Sequence, residues 1–136
     1  MNDCIFCKIV KGEIPCAKLY EDDKVLAFLD IGPVAKGHAL VVSKQHYETL
    51  LDTPDEIITS IFATAKRIAA AQQRVLGNKG FNILMNNKKV AGQLVPHSHI
   101  HIIPRKENDG LLKEWPAGKY KENEMNELLE KIKDSL

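Results

Sequence analysis

The sequence predicts a single α+β domain, with one long helix packed on an antiparallel five-stranded sheet and a second helix at the C-terminus. Three observations carry this. Short β-prone runs outnumber helical ones and mostly follow one another as hairpin neighbours. From Thr53 to about Leu76, apolar residues recur at helical spacing without a break. The chain has 136 residues, 44% of them hydrophobic, which suits one domain with a real core and is too short for two ordinary ones.

Ile5 to Lys11 read as one short helical turn, closed by Gly12 and Pro15. Lys18 to Glu21 and Val25 to Leu29 are strands, with Asp22-Asp23 as the hairpin turn and Gly32-Pro33 ending the second. Ala39 to Ser43 is a third strand, buried on both faces. The long helix follows. Thr53 is its expected cap, Pro54 suits its first position, and Asp55 and Glu56 favour its positive end. Ile57, Ile61, Ala65, Ile68 and Ala69 form its apolar stripe, and Gly77 stops it. Phe81 to Met85 is a fourth strand, Asn86 to Ala91 a polar loop, and Ser98 to Ile103 a fifth strand ended by Pro104. Tyr120 to Leu136 is a charged amphipathic helix with Met125, Leu128, Leu129 and Ile132 on one face.

The 19 basic residues balance 18 acidic ones for a net charge of +1, so bulk charge draws the protein neither to nucleic acid nor to an anionic membrane. No apolar run approaches bilayer length. The start, Met1-Asn2-Asp3-Cys4, lacks a basic region followed by an apolar run, so a cytoplasmic protein without a signal peptide is expected. Three cysteines, Cys4, Cys7 and Cys16, are an odd number and no disulfide framework. Cys4 and Cys7 are close enough for a metal pair or a redox pair, while Cys16 reads as a packed free thiol.

The chain has five histidines, and three fall in the run His97-Ser98-His99-Ile100-His101. On a strand the three project to one side while Ile100 and Ile102 anchor the other in the core. Alternating neutral imidazoles suit zinc. They equally suit phosphorus chemistry, where one ring nitrogen attacks and a neighbouring ring hands a proton to the leaving group. Residue chemistry alone leaves both readings open.

The segment Gly92-Gln93-Leu94-Val95-Pro96-His97-Ser98-His99-Ile100-His101-Ile102-Ile103-Pro104-Arg105 resembles the histidine triad signature. The likeness extends upstream through Cys4-Ile5-Phe6-Cys7-Lys8-Ile9-Val10, Ile14-Pro15, Tyr20-Glu21-Asp22-Asp23, Ala27-Phe28-Leu29-Asp30-Ile31 and Gly37-His38-Ala39-Leu40-Val41-Val42. It covers nearly all of residues 4–105 and is nearest to the bacterial Hit or Hint-like members of that family.

The resemblance implies a histidine triad fold and the following roles. His99 is the nucleophile that attacks an α-phosphorus to form a nucleotidyl-histidine, which water hydrolyses. His101 contacts the phosphate and assists the leaving group or the water, and His38 completes the network. His97 supports the site from behind, its carbonyl holding the nucleophile's other ring nitrogen. Asp30 binds the ribose hydroxyls. Asn86 and Gln93 contact the phosphate, as do His99 and His101. Ile31, Phe28 and Leu29 line the base pocket. Cys4, Cys7, His46 and His97 match a zinc set seen in some bacterial members, and an ion with four protein ligands is structural.

The implied function is hydrolysis or transfer at the α-phosphate of a purine nucleoside phosphoramidate or an acyl- or aminoacyl-adenylate, by a homodimer with the long helix at its contact. The alternatives are a dinucleoside polyphosphate hydrolase, a nucleotide- or partner-binding protein with incidental catalysis, and a metalloenzyme. Two departures stand out: Leu94 replaces a usual serine or threonine, and Pro96 a usual aromatic or polar residue. Residues 106–136 extend beyond the common ending, either covering the site through Trp115 or enlarging the dimer.

Overall fold

Val25–Leu29 (β2) and Ala39–Ser43 (β3), the runs least interrupted by polar residues, pair antiparallel and are nearly all buried. They belong to a five-stranded sheet of order β1-β2-β3-β5-β4, in which every neighbour pair is antiparallel. The other strands are Ala17–Glu21 (β1), Gly80–Leu84 (β4) and His99–Arg105 (β5). Ile5–Val10 (α1), Asp55–Leu76 (α2) and Glu124–Asp134 (α3) are the helices. This computed structural model describes residues 3–136. Met1 and Asn2, the first residues of the start read above and of the expected domain, lie outside the described residues. Among the described residues no helix is long and apolar enough to cross a membrane.

The pleat divides the strand side chains between two cores. Val25, Ala27, Ala39, Val41, Ile100 and Ile102 pack under the α2 stripe of Ile57, Ile61, Ala65, Ile68 and Ala69. Leu26, Phe28, Leu40 and Val42 face the opposite way and pack with Cys4 and Phe6 of the α1 segment. His99 stands opposite Val42 and His101 opposite Leu40, so both histidines belong to this second face. The β1–β2 turn is made by Asp22, whose Oδ1 accepts the N–H groups of Lys24 and Val25 at 2.8 and 2.9 Å.

Several expected boundaries move. Pro54, not Thr53, is the residue before α2, although Asp55 and Glu56 do occupy its first turn. Thr53 ends a short 3-10 turn, Leu50–Asp52, and its hydroxyl donates to the Thr49 carbonyl at 2.7 Å, while no side chain caps the first N–H groups of α2. Gly77 does stop α2, at φ +67°. Strand β5 starts at His99, after Ser98, and runs through Pro104. The β3 ladder has already ended at Ala39–Ile102, so a missing N–H at Pro104 leaves no rung unmade on that side. α3 is shorter than expected, and none of its apolar residues is buried.

Candidate active site

His97 precedes β5 and is fully buried. Its side chain shares the α1 side with His99, because the Phe6 ring stands edge-on to both, at 5.8 and 4.9 Å between centroids. α1 therefore supplies the wall against which the histidines are set.

Fixed backbone groups decide which nitrogen of each ring carries hydrogen. His99 Nδ1 lies 2.6 Å from the His97 carbonyl, so it must donate, and Nε2 is left with its lone pair. His97 Nε2 lies 2.6 Å from the Ser43 carbonyl, so it also donates, and the bare Nδ1 faces the cysteines. The Val34 N–H donates to His38 Nδ1 at 3.2 Å, which puts the His38 proton on Nε2. That proton points at His101 Nδ1, 2.9 Å away, leaving His101 with an Nε2–H. The result is a bare Nε2 on His99 beside an N–H on His101, with ring centroids 5.1 Å apart.

Burial keeps these rings neutral. It lowers His99 against the opposing pull of the His97 carbonyl and Asp30. It lowers His38 against the pull of Asp30. It pushes His101 down to about 4, helped by repulsion from His99 and His38. His101 binds fewer protons folded than unfolded between the ordinary 6.5 and about 4, and His38, also lowered, acts in the same direction. Their contribution to stability is therefore intact above about 6.5 and falls as pH drops toward 4. Ring nitrogen NMR should show His101 protonating near 4, and a titration near 6.5 would contradict this network.

A cavity of about 880 Å³ opens over these rings. Phe28, Leu29, Asp30, Ile31, Asn86, His38, His99 and His101 all line it. Asp30 Oδ1 accepts the Gly32 N–H at 2.8 Å, and Oδ2 lies 3.6 Å from His38 Nε2. The Asn86 amide donates to the Gly92 carbonyl at 3.3 Å. Gln93 differs from expectation. Its Nε2 donates to the Glu48 carbonyl and its Oε1 accepts the Lys88 N–H, both at 2.7 Å, and it does not line the cavity. Its side chain holds the preceding loop instead of facing a phosphate. Trp115 also lies outside the cavity wall, exposed, while Leu112 of the C-terminal extension is part of it. Phe6, the Ser43 carbonyl and the Val34 N–H were missed in the sequence. Phe6 stood in the Cys4–Cys7 motif, but nothing in the residue types marks a backbone group as a tautomer-setting partner.

The second cluster is Cys4, Cys7, His46 and His97, whose ligand atoms all lie within 4.8 Å of one another. Cys4 Sγ is 3.3 Å from His97 Nδ1, and Cys7 Sγ is 3.3 Å from His46 Nδ1 and 3.6 Å from His97 Nδ1. A tetrahedral zinc with two sulfur and two nitrogen ligands puts unlike ligand atoms about 3.6 Å apart. The bare His97 Nδ1 is of the correct form to bind it, so the set fits a zinc ion. Burial and the neighbouring Cys4 raise the Cys7 thiol above its ordinary value, a cost that a metal would remove.

Asp30, His38 and His101 also bring ligand atoms within 4.8 Å. They fit a metal poorly. His38 accepts Val34 N–H through Nδ1, so a metal at Nε2 would have to displace the ring's proton or break that bond.

The HIT domain family model matches residues 11–108. The adenylylsulfatase HINT3 of Arabidopsis thaliana is 49% identical over 110 residues, 81% of this chain and 56% of that protein. The chain thus spans little more than half of that relative's length. The adenosine 5′-monophosphoramidase hnt1 of Schizosaccharomyces pombe is 43% identical over 134 residues, 98% of each. A zinc-bound histidine triad family protein from Mycobacterium smegmatis has a solved structure that superposes with a TM-score of 0.77, at 35% identity over 99% of each chain.

Proposed function

The chain belongs to the HIT family, and on that premise we propose that it hydrolyses purine nucleoside phosphoramidates or adenylates at the α-phosphorus through a nucleotidyl-histidine at His99. One observation supports this above the others: His99 gives its Nδ1 hydrogen to a backbone carbonyl, so Nε2 is a bare nucleophile in an apolar cavity. The His99 lone pair forms a bond to phosphorus, and the leaving atom departs with the electrons of the bond that breaks. The His101 Nε2–H passes its proton to the departing atom and regains one from the water that attacks next, and His38 holds the ring in the tautomer that offers it. Water then displaces the histidine and releases the mononucleotide. Asp30 takes the ribose hydroxyls, Phe28, Leu29 and Ile31 wall the base, and Asn86 lies on the phosphate side.

Cys4, Cys7, His46 and His97 would hold a structural zinc, which cross-links α1 to the start of β5. A homodimer belongs to the same reading. β4 is an edge strand with Phe81 and Ile83 partly exposed, and α3 shows an uncovered apolar face. A helix of 11 residues is marginal without a partner. The balanced charge and the absence of an apolar span underlie the proposal of a cytoplasmic protein that binds neither nucleic acid nor membrane.

Among the described residues, no lysine or arginine lines the cavity. A dinucleoside polyphosphate brings several anionic groups and would find no cation there. Adenosine 5′-phosphoramidate should therefore be hydrolysed about two orders of magnitude faster, by kcat/KM, than diadenosine tetraphosphate. In Asp30→Ala, ribonucleotide affinity should fall far more than 2′-deoxyribonucleotide affinity, since only the former offers both hydroxyls. Preference for the polyphosphate would overturn the substrate class, and equal losses would remove Asp30 from the ribose.

A further inference from the structure

Resting on that reading, we propose that the β4 flank of the cavity receives the leaving group, and that the group it takes is an amine carrying an uncharged hydrocarbon chain. His101 sits in β5 between Leu40 on one side and Leu84 on the other. The Leu40 side continues to Phe28 and carries the nucleoside contacts. What remains is the other side, where Leu84, Leu94 and Leu112 line the same cavity with Asn86.

These leucines are not spare core. Leu94 is 90% exposed and Leu112 48%, so each presents an aliphatic surface to the cavity without covering it by its own chain. Leu112 is delivered by a built loop. Arg105 donates from Nε and Nη2 to the two Asp109 carboxylate oxygens at 2.8 and 2.7 Å. Asp109 also accepts the N–H groups of Lys106 and Leu111. Arg105 reaches the Leu111 carbonyl and, through Nη1, Asn82 of β4, each at 2.8 Å. Leu112 then follows at φ +41°, which a leucine adopts at a conformational cost. A loop tied to β5 by a bidentate ion pair, with Arg105 also bonded to Asn82 of β4, holds that side chain in place.

Charge argues the same way. Among the described residues, Asp30 is the one carboxylate on the cavity wall and no lysine or arginine joins it, and it lies with the nucleoside contacts. A charged chain on the β4 flank would meet no counter-charge there and would gain nothing from the leucine side chains. A hydrocarbon chain loses nothing and gains apolar contact. Leu94, where a hydroxyl residue is usual in the family resemblance, completes the apolar wall. In the reaction the P–N bond breaks and the His99 Nε2–P bond forms. One water is consumed overall, its proton ending on the amine by way of His101 and its hydroxyl on phosphorus.

The test compares three adenosine phosphoramidates with the same bond broken, releasing hexylamine, 6-aminohexanoate or 1,6-diaminohexane. With the full chain, kcat/KM for the hexylamine compound should exceed each charged one by about tenfold or more. In Leu94→Ser and Leu112→Ser that ratio should fall several-fold. Both sites are exposed, and the wild-type ratio needs no variant at all. A wild-type ratio near one, a preference for either charged chain, or ratios unchanged in both variants would overturn the assignment. The unsubstituted phosphoramidate, which releases ammonia and reaches none of these leucines, separates the two failures. If it is hydrolysed while the chains are not distinguished, only the flank assignment falls. If it is not hydrolysed, the proposed function falls and takes the flank assignment with it.

Discussion

Replacing His99 with alanine should cut turnover by about four to six orders of magnitude while nucleotide binding largely survives. The geometry explains the asymmetry. His99 contributes the bare Nε2, whereas the ribose and base contacts are proposed to come from Asp30, Ile31, Leu29 and Phe28, which line the cavity from outside β5. The wild-type protein, quenched during turnover under mildly alkaline conditions, should carry an AMP adduct on the peptide containing His97 to Arg105. Acid would hydrolyse the phosphorus–nitrogen bond before it was seen. Two in-line displacements each invert the phosphorus, so a chiral substrate should emerge with retained configuration. A single attack by water would invert it and leave no adduct. Inversion at a robust wild-type rate would end the nucleotidyl-histidine mechanism.

The second large effect belongs to the cysteine and histidine cluster. Protein purified without chelator should contain about one zinc per chain. Changing Cys4 and Cys7 together to serine should remove it and lower Tm by about 10 °C or more, because ligand binding to the folded state alone is folding free energy. kcat should fall too, since α1 carries Phe6, whose ring stands 4.9 Å from His99. Cys16→Ser should leave the metal content as it was, because Cys16 lies outside the ligand set. Elemental analysis that finds no zinc in the wild-type protein would refute the site.

Much of this was legible in the sequence because it rests on periodicity. The α2 stripe from Ile57 to Ala69 and the alternation of Ile100 and Ile102 against the histidines each repeat a local rule, and both hold. The roles that moved depend on the nearest partner in space. Thr53 is a good cap by type, yet it finds the Thr49 carbonyl one turn back. Pro104 breaks strands in general, but β3 ends before reaching it. Gln93 stands in a glycine–glutamine pair of the resemblance, yet both ends of its amide are taken by backbone. Gly37 shows the same limit. Its φ of +86° favours glycine just before His38, and Leu76 Cδ1, only 2.6 Å from where a Cβ would lie, would have to shift for any other residue. Nothing local in the sequence reports that contact.

The hydrogen placement on the rings has a consequence for how such a protein changes over generations. The Ser43 and His97 carbonyls and the Val34 N–H set the polarity of His97, His99 and His38. These are backbone groups, present whatever side chain occupies the position and unable to titrate. Point mutations in the surrounding walls can alter what fits without rewiring the nucleophile. Leu84, Leu94 and Leu112 can drift independently of the machinery beside them, so selectivity is open to variation while the reactive nitrogen is insulated from it. A library randomised at those three leucines should therefore be rich in active members with altered preference, and the same diversity placed on Phe6 or His38 should be mostly inert.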